Sequence, residues 1–177
     1  MLIRPATPAD AHGIAVVHVR GWQEAYRGLM PQSVLDDLSI TDRAEGWRRI
    51  LSARESGEEP EGARSHALVA VDPATDRILG WATYGEPRED GAHQGELWGL
   101  YAHPELWSRG VGHALLAAVE DALRTDGAGS AYLWVLEGNG RAATFYERHG
   151  WIEDGEVKVE ERPGLRLHER RRVKLLS

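Results

Sequence analysis

The 177-residue sequence contains no cysteine, a single phenylalanine and two methionines. Without cysteine the chain can form neither a disulfide framework nor a thiolate metal site, and it offers no thiol nucleophile for an acyl intermediate. Long apolar runs are missing as well. Arg4, Asp10 and His12 interrupt the N-terminal segment, and no later stretch approaches the roughly 18 apolar residues that a membrane-crossing helix needs. Positive charge is in deficit, with 21 Lys and Arg against 28 Asp and Glu, a net charge of -7. That balance argues against nucleic acid as a partner, because binding a polyanion draws on a dense set of cations. Eight histidines are present, but no HExxH spacing occurs and His12 and His18 do not share a helical face, so no metal is expected. Together the absences read as a cytoplasmic protein that engages neither membrane nor nucleic acid.

What is present suits one folded domain spanning residues 1–177, with 42% hydrophobic and 28% charged residues and enough chain to bury a core. Residues 2–5 read as a strand. Thr7-Pro8-Ala9-Asp10 then reads as a helix start, with Ile14, Val17, His18, Gly21, Trp22, Ala25 and Tyr26 on one face and Gly28 as a stop. Helices are expected at 31–38 and 41–54, followed by an exposed loop at 55–64. Strands at 66–71, 78–84 and 96–102 form a meander, with a polar loop at 86–95. A strongly amphipathic helix at 110–126 carries Val111, Ala114, Leu115, Ala118, Val119, Ala122 and Leu123 along one stripe. A strand at 131–136, apolar on both faces, a short helix at 140–149 and two closing strands around Pro163-Gly164 complete the chain. Arg170-Arg171-Arg172 alternate across the last strand and read as a solvated sheet edge.

The joint between the third meander strand and the amphipathic helix reads LWGLYAHPELWSRGVGHALL, residues 97–116. A glycine loop at a helix start gathers unpaired backbone N–H groups and the positive end of the helix dipole, where phosphate can sit. The alternative is that Gly110 and Gly112 serve only a tight turn and close helix packing. A dinucleotide-binding fold, with Glu137 toward a ribose, fits less well: Leu115 occupies the third glycine's position, and a meander precedes the unit.

A second stretch, LWVLEGNGRAATFYERHGW at 133–151, places Asn139 at a helix start and Ala142, Phe145, Tyr146 and His149 on one helical face. The two stretches together resemble the GNAT superfamily of acyl-CoA-dependent N-acetyltransferases. That family carries Gln or Arg, two residues, Gly, one residue, Gly or Ala, and later Asn, two residues, Ala, two residues, Phe-Tyr. Trp107 stands where Gln or Arg is usual, and an indole can only donate. The resemblance extends over essentially the whole chain. It implies an α/β (α+β), GNAT-like fold: a central, mostly antiparallel twisted sheet of about seven strands flanked by helices, splayed at the fourth and fifth strands.

The resemblance further implies direct transfer of an acetyl group from acetyl-CoA to a primary amine, with no metal. The coenzyme's pyrophosphate is expected on Ser108, Arg109, Gly110, Val111, Gly112 and His113. Its pantetheine arm is expected along Leu100, Tyr101 and Ala102, with Asn139, Ala142 and Phe145 on the other side and an oxyanion donor at the Leu100 amide. Tyr146 is the implied general acid for the departing thiolate; its alternative is a packed core aromatic. Glu96, on the strand face inferred for Trp98 and Leu100, is either the general base or a solvated strand-start carboxylate. Trp22, Tyr26 and Tyr84 are acceptor-pocket candidates or core aromatics. The partners implied are acetyl-CoA and a small-molecule or protein amine, and homodimers are common in the family. The rival reading is a non-catalytic acyl-CoA sensor or interaction module on the same fold.

Overall fold

The computed structural model describes residues 1–57, 64–89, 91–162 and 165–176. Its strands are β1 (Leu2–Pro5), β2 (Ser65–Val71), β3 (Ile78–Gly85), β4 (Gly95–Ala102), β5 (Ser130–Leu136), β6 (Ile152–Arg162) and β7 (Leu165–Leu175). Its helices are α1 (Ala11–Ala25), α2 (Gln32–Asp36), α3 (Ile40–Ser56), α4 (Val111–Thr125) and α5 (Gly140–Arg148). A 3-10 turn over Pro8–Asp10 precedes α1. The Asp10 carboxylate fixes this entry by accepting from the Thr7 amide at 2.8 Å and from both Arg4 terminal nitrogens at 2.7 and 2.8 Å. Most of the loop expected at 55–64 and the Pro163-Gly164 turn lie outside the described residues.

All seven strands join one sheet in the order β1-β2-β3-β4-β5-β7-β6. Every pairing is antiparallel except β4 with β5. The parallel pair has only the rungs Gly95↔Ala131 and Glu96↔Tyr132, although β4 continues to Ala102 and β5 to Leu136. Beyond the second rung the sheet splits. β7 lies between β5 and β6, so Arg170, Arg171 and Arg172 do not form the edge expected from their alternation. They are tied to carboxylates: Arg170 to Glu137 and Glu153, Arg171 to Asp154, and nearly buried Arg172 to Glu147 and Glu153.

Helix α4 covers one face of the sheet, where Val111, Leu115, Leu116, Val119 and Leu123 meet Tyr84, Leu97, Leu133 and Val135. The stripe read from sequence omitted Leu116 and Glu120, which are also buried. Glu120 is held by Lys174 at 2.7 and 2.8 Å and by the Trp151 indole at 2.8 Å, so its charge is offset. On the opposite face α1 and α3 enclose a second cluster containing Ile14, Val17, Trp47, Leu51 and Trp81.

His18 on α1 sits within aromatic contact of Trp22, Trp47, Trp81 and Tyr101. Its Nδ1 accepts from the Trp47 indole at 3.3 Å. Burial, with Arg43 nearby, pushes its pKa down from 6.5 to about 4. A depressed imidazole pKa means that the unfolded chain binds the proton more readily, so stability falls as pH drops from 6.5 toward 4. The penalty is on the order of 3 kcal/mol when complete. Urea unfolding of native protein and His18→Gln at pH 7 and pH 4.5 checks this: the native chain should lose about 2 kcal/mol more than the variant on acidification. Equal losses would show that the folded environment does not resist the charge.

Candidate active site

The split between β4 and β5 opens into a cleft of about 1000 Å³ walled by α1, β4, the 106–113 loop, β5, α5, β6 and β7. One local irregularity decides which side chains face it. Thr83 pairs with Gly99 and Tyr84 with Leu97, which leaves Trp98 as the extra residue of a bulge on β4. A bulge reverses the in-out alternation of the pleat. Leu97 and Leu100, three residues apart, accordingly both contact the α4-side core.

Glu96 therefore does not share a face with Leu100, as simple alternation had suggested, and its residue is not part of the cleft wall. Its carboxylate, in a residue only 1% exposed, accepts from the Arg88 amide at 2.9 Å, from Arg88 Nε at 3.0 Å, from Arg88 Nη2, and from the Tyr132 hydroxyl at 2.9 Å. Burial, followed by the hydrogen bond to Glu96, pushes the Tyr132 phenol well above its ordinary pKa, so it remains a donor. This assembly sits on the last rung before the sheet divides. Tyr84 is also absent from the wall: it is buried on the α4 face and stacked on His66 at 5.3 Å.

The glycine loop does reach the cleft. Ser108, Gly110, Gly112 and His113 line it, together with Leu100, Tyr101, Ala102, Asn139, Ala142, Phe145 and Tyr146. Arg109 is exposed outside the wall, and Val111, the first residue of α4, is buried in the core. The backbone is left-handed at Ser108 (φ 60°) and at Gly110 (φ 85°), a conformation that costs glycine little. Gly110 is the α4 cap and no side chain caps that end. The first amide to bond back is that of Ala114, to the Gly110 carbonyl at 3.0 Å, so the amides of Val111, Gly112 and His113 have no partner within the helix. A Cβ added to Gly112 would lie 3.4 Å from the Phe145 ring and 3.7 Å from Leu100, so this glycine is a seam between α4, β4 and α5.

Asn139 caps α5 by accepting from the Ala142 amide at 3.1 Å. One helical turn beyond that bond, Tyr146 is 8% exposed and packs edge-on against Phe145 and Trp151. Among the described residues its hydroxyl has no hydrogen-bond partner, although its residue lines the cleft. Burial, then the nearby Tyr101 phenol, raises its pKa, so the proton stays in place at neutral pH. Tyr26 and Tyr101 bond hydroxyl to hydroxyl at 2.9 Å on the α1 side of the cleft, where Trp22 also stands. Burial pushes both phenols up, with Glu169 adding to the effect on each.

Sequence reasoning missed the far wall. Trp98 carries the Arg88 guanidinium 4.9 Å above its ring, and Trp134 carries the Lys158 ammonium at 4.7 Å. Lys158 also pairs with Glu169 at 3.4 Å and Glu89 at 3.5 Å. Arg141 and Trp107 were likewise not foreseen as a stacked pair. Only the position of Arg141, two residues after Asn139, could have drawn attention to it; the β6 and β7 residues have no local signal.

Among the described residues no helix is long and apolar enough to cross a membrane, and no cluster of His, Asp and Glu could hold a metal ion. The description "Acetyltransferase (GNAT) family" matches residues 22–151. An uncharacterized N-acetyltransferase of Bacillus subtilis, YuaI, is 29% identical over 83% of this chain and 78% of its own length. A mycothiol acetyltransferase of Acidimicrobium ferrooxidans is 35% identical over 67% of the chain, which spans 40% of that protein. The fold is shared with the PaiA N-acetyltransferase of Thermoplasma acidophilum in complex with coenzyme A, at TM-score 0.70, 20% identity and 98% coverage of both chains. It is also shared with YncA of Salmonella typhimurium with acetyl-CoA, at TM-score 0.69, 18% identity, and 100% and 94% coverage. With a glycine loop on α4, a split sheet and these matches, the chain belongs to the GNAT family of acetyl-CoA-dependent N-acetyltransferases.

Proposed function

We propose that acetyl-CoA enters the split between β4 and β5 with its pyrophosphate on the amides at the start of α4 and its pantetheine arm along Leu100, Tyr101 and Ala102. The observation that carries this reading is the loss of β4–β5 pairing after Glu96 and Tyr132, on the same cleft as the uncapped α4 amides and the unpartnered Tyr146 hydroxyl. The thioester lies beside Tyr146, and the amine approaches from Trp22 and Tyr26. Attack by the neutral amine forms the C–N bond, the C–S bond breaks, Tyr146 supplies the proton taken by the departing sulfur, and the proton then shed by the acylated nitrogen restores the Tyr146 phenol.

The amine must first lose a proton. Glu96 is saturated with donors, whereas Glu160 and Glu169 are carboxylates of the cleft itself. Glu169 is the better placed: its charge acts on Tyr26 and Tyr101, the hydroxyls at the acceptor end, and Lys158 holds it at 3.4 Å. In this reading Glu169 receives the ammonium proton, directly or through the Tyr26–Tyr101 pair. Glu169→Gln should lower kcat about 10²-fold with a panel of primary amines, measured as thiol release, while acetyl-CoA binding by calorimetry is retained. Retained turnover would remove Glu169 from the proton path. Absence of acetyl-CoA binding by the native protein would overturn the coenzyme placement.

A further inference from the structure

The loop's first family position holds Trp107, which leaves no Gln or Arg there. The indole N–H donates to the Ala102 carbonyl at 3.0 Å, which fixes the ring against the end of β4. Over its face lies Arg141 from the first turn of α5, its Cζ 3.9 Å from the ring centroid. This is the shortest of the cation–ring separations among the described residues. A guanidinium held over an aromatic face by its central carbon leaves N–H groups at its edge for bonds to a phosphate.

The charge state of this pair points outward. Arg88 and Lys158, the cations over Trp98 and Trp134 of the cleft, are neutralised by Glu96 and by Glu89 and Glu169. Among the described residues Arg141 has no carboxylate partner, and both it and Trp107 line the cleft beside Ser108 and Gly110. Partial burial without a counter-ion lowers the Arg141 pKa, an effect that an arriving anion would offset.

We propose that Arg141 binds a phosphate group of coenzyme A and that Trp107 is its positioning residue, so that α5 supplies a polar contact that the loop's first position lacks. The inference rests on the coenzyme placement proposed above. Coenzyme A carries this chemistry twice, in its pyrophosphate and in its 3′-phosphate, and the two are separable by ligand. Calorimetric titration with coenzyme A and with 3′-dephospho-coenzyme A would be run on native protein, Arg141→Gln, Trp107→Leu and Trp107→Phe.

Arg141→Gln, at an exposed position, should weaken coenzyme A binding roughly 10- to 100-fold, the loss expected of a charge-assisted contact. An equal loss for both ligands assigns Arg141 to the pyrophosphate, and a loss confined to coenzyme A assigns it to the 3′-phosphate. Trp107→Leu should weaken binding about 3-fold and Trp107→Phe should restore most of it, because phenylalanine keeps the aromatic face. Binding of both ligands by Arg141→Gln within twofold of native overturns the proposal and leaves the coenzyme placement intact. A native protein that binds neither ligand overturns the placement itself, and the inference with it.

Discussion

Tyr146→Phe should lower kcat by about 10²- to 10⁴-fold, the range for loss of a positioned general acid, while leaving acetyl-CoA affinity within a few-fold of native. The ring is not the issue: phenylalanine keeps the packing against Phe145 and Trp151 that holds α5 to the core. What disappears is one hydroxyl, in a residue 8% exposed, with no protein partner among the described residues. Burial keeps the proton on Tyr146 at assay pH, so the donor is fully loaded when the thiolate develops. Without it the sulfur leaves unprotonated or draws on water, and the barrier rises by about 3 to 5 kcal/mol. Single-turnover rates beside calorimetric affinities separate chemistry from binding. Unchanged turnover would return Tyr146 to the role of a packed aromatic.

Glu96→Ala should act in the opposite manner, on stability first. Its carboxylate joins the Arg88 side chain and amide to the Tyr132 hydroxyl at the last rung of the β4–β5 pairing. Removing one partner of a buried pair costs about 3 to 5 kcal/mol. Arg88 is 46% exposed and can turn to water, so the lower end applies, about 3 kcal/mol. For a chain of this length that lowers Tm by roughly 6 to 12 °C. Glu96→Gln tests the role directly, because it keeps shape and removes charge. A clamp at the apex predicts a depressed Tm with residual turnover at permissive temperature. An unchanged Tm with a hundredfold loss of kcat would make Glu96 the base after all.

The difference between these two residues shows what was legible in the sequence. Tyr146 could be placed on its helical face because its signals are local: Asn139 caps α5, and helical spacing carries Ala142, Phe145 and Tyr146 toward the cleft. Glu96 was assigned the face of Trp98 and Leu100 by counting alternation, and one extra residue at Trp98 leaves no mark on the hydrophobic pattern while reversing every side chain after it. Strand bounds from β2 to β5 fell within one residue of their expected positions because turn residues punctuate them. The order β5-β7-β6 had no such punctuation. Lys158 and Glu169 therefore entered the cleft unannounced, and Arg170 to Arg172 became a set of ion pairs on a strand inside the sheet order.

The seam at Gly112 has a consequence for adjustment of the enzyme. A single methyl group added there would meet the Phe145 ring at 3.4 Å, an ordinary contact. A second carbon aimed at the ring would have to displace Phe145, and the next residue along α5 is Tyr146. The glycine loop and the proposed proton donor are thus coupled through a bearing whose clearance toward Phe145 is one methyl group. Changes at position 112 would be read out less as altered stability than as altered distance between acid and sulfur, a quantity to which reaction rates respond steeply over fractions of an ångström.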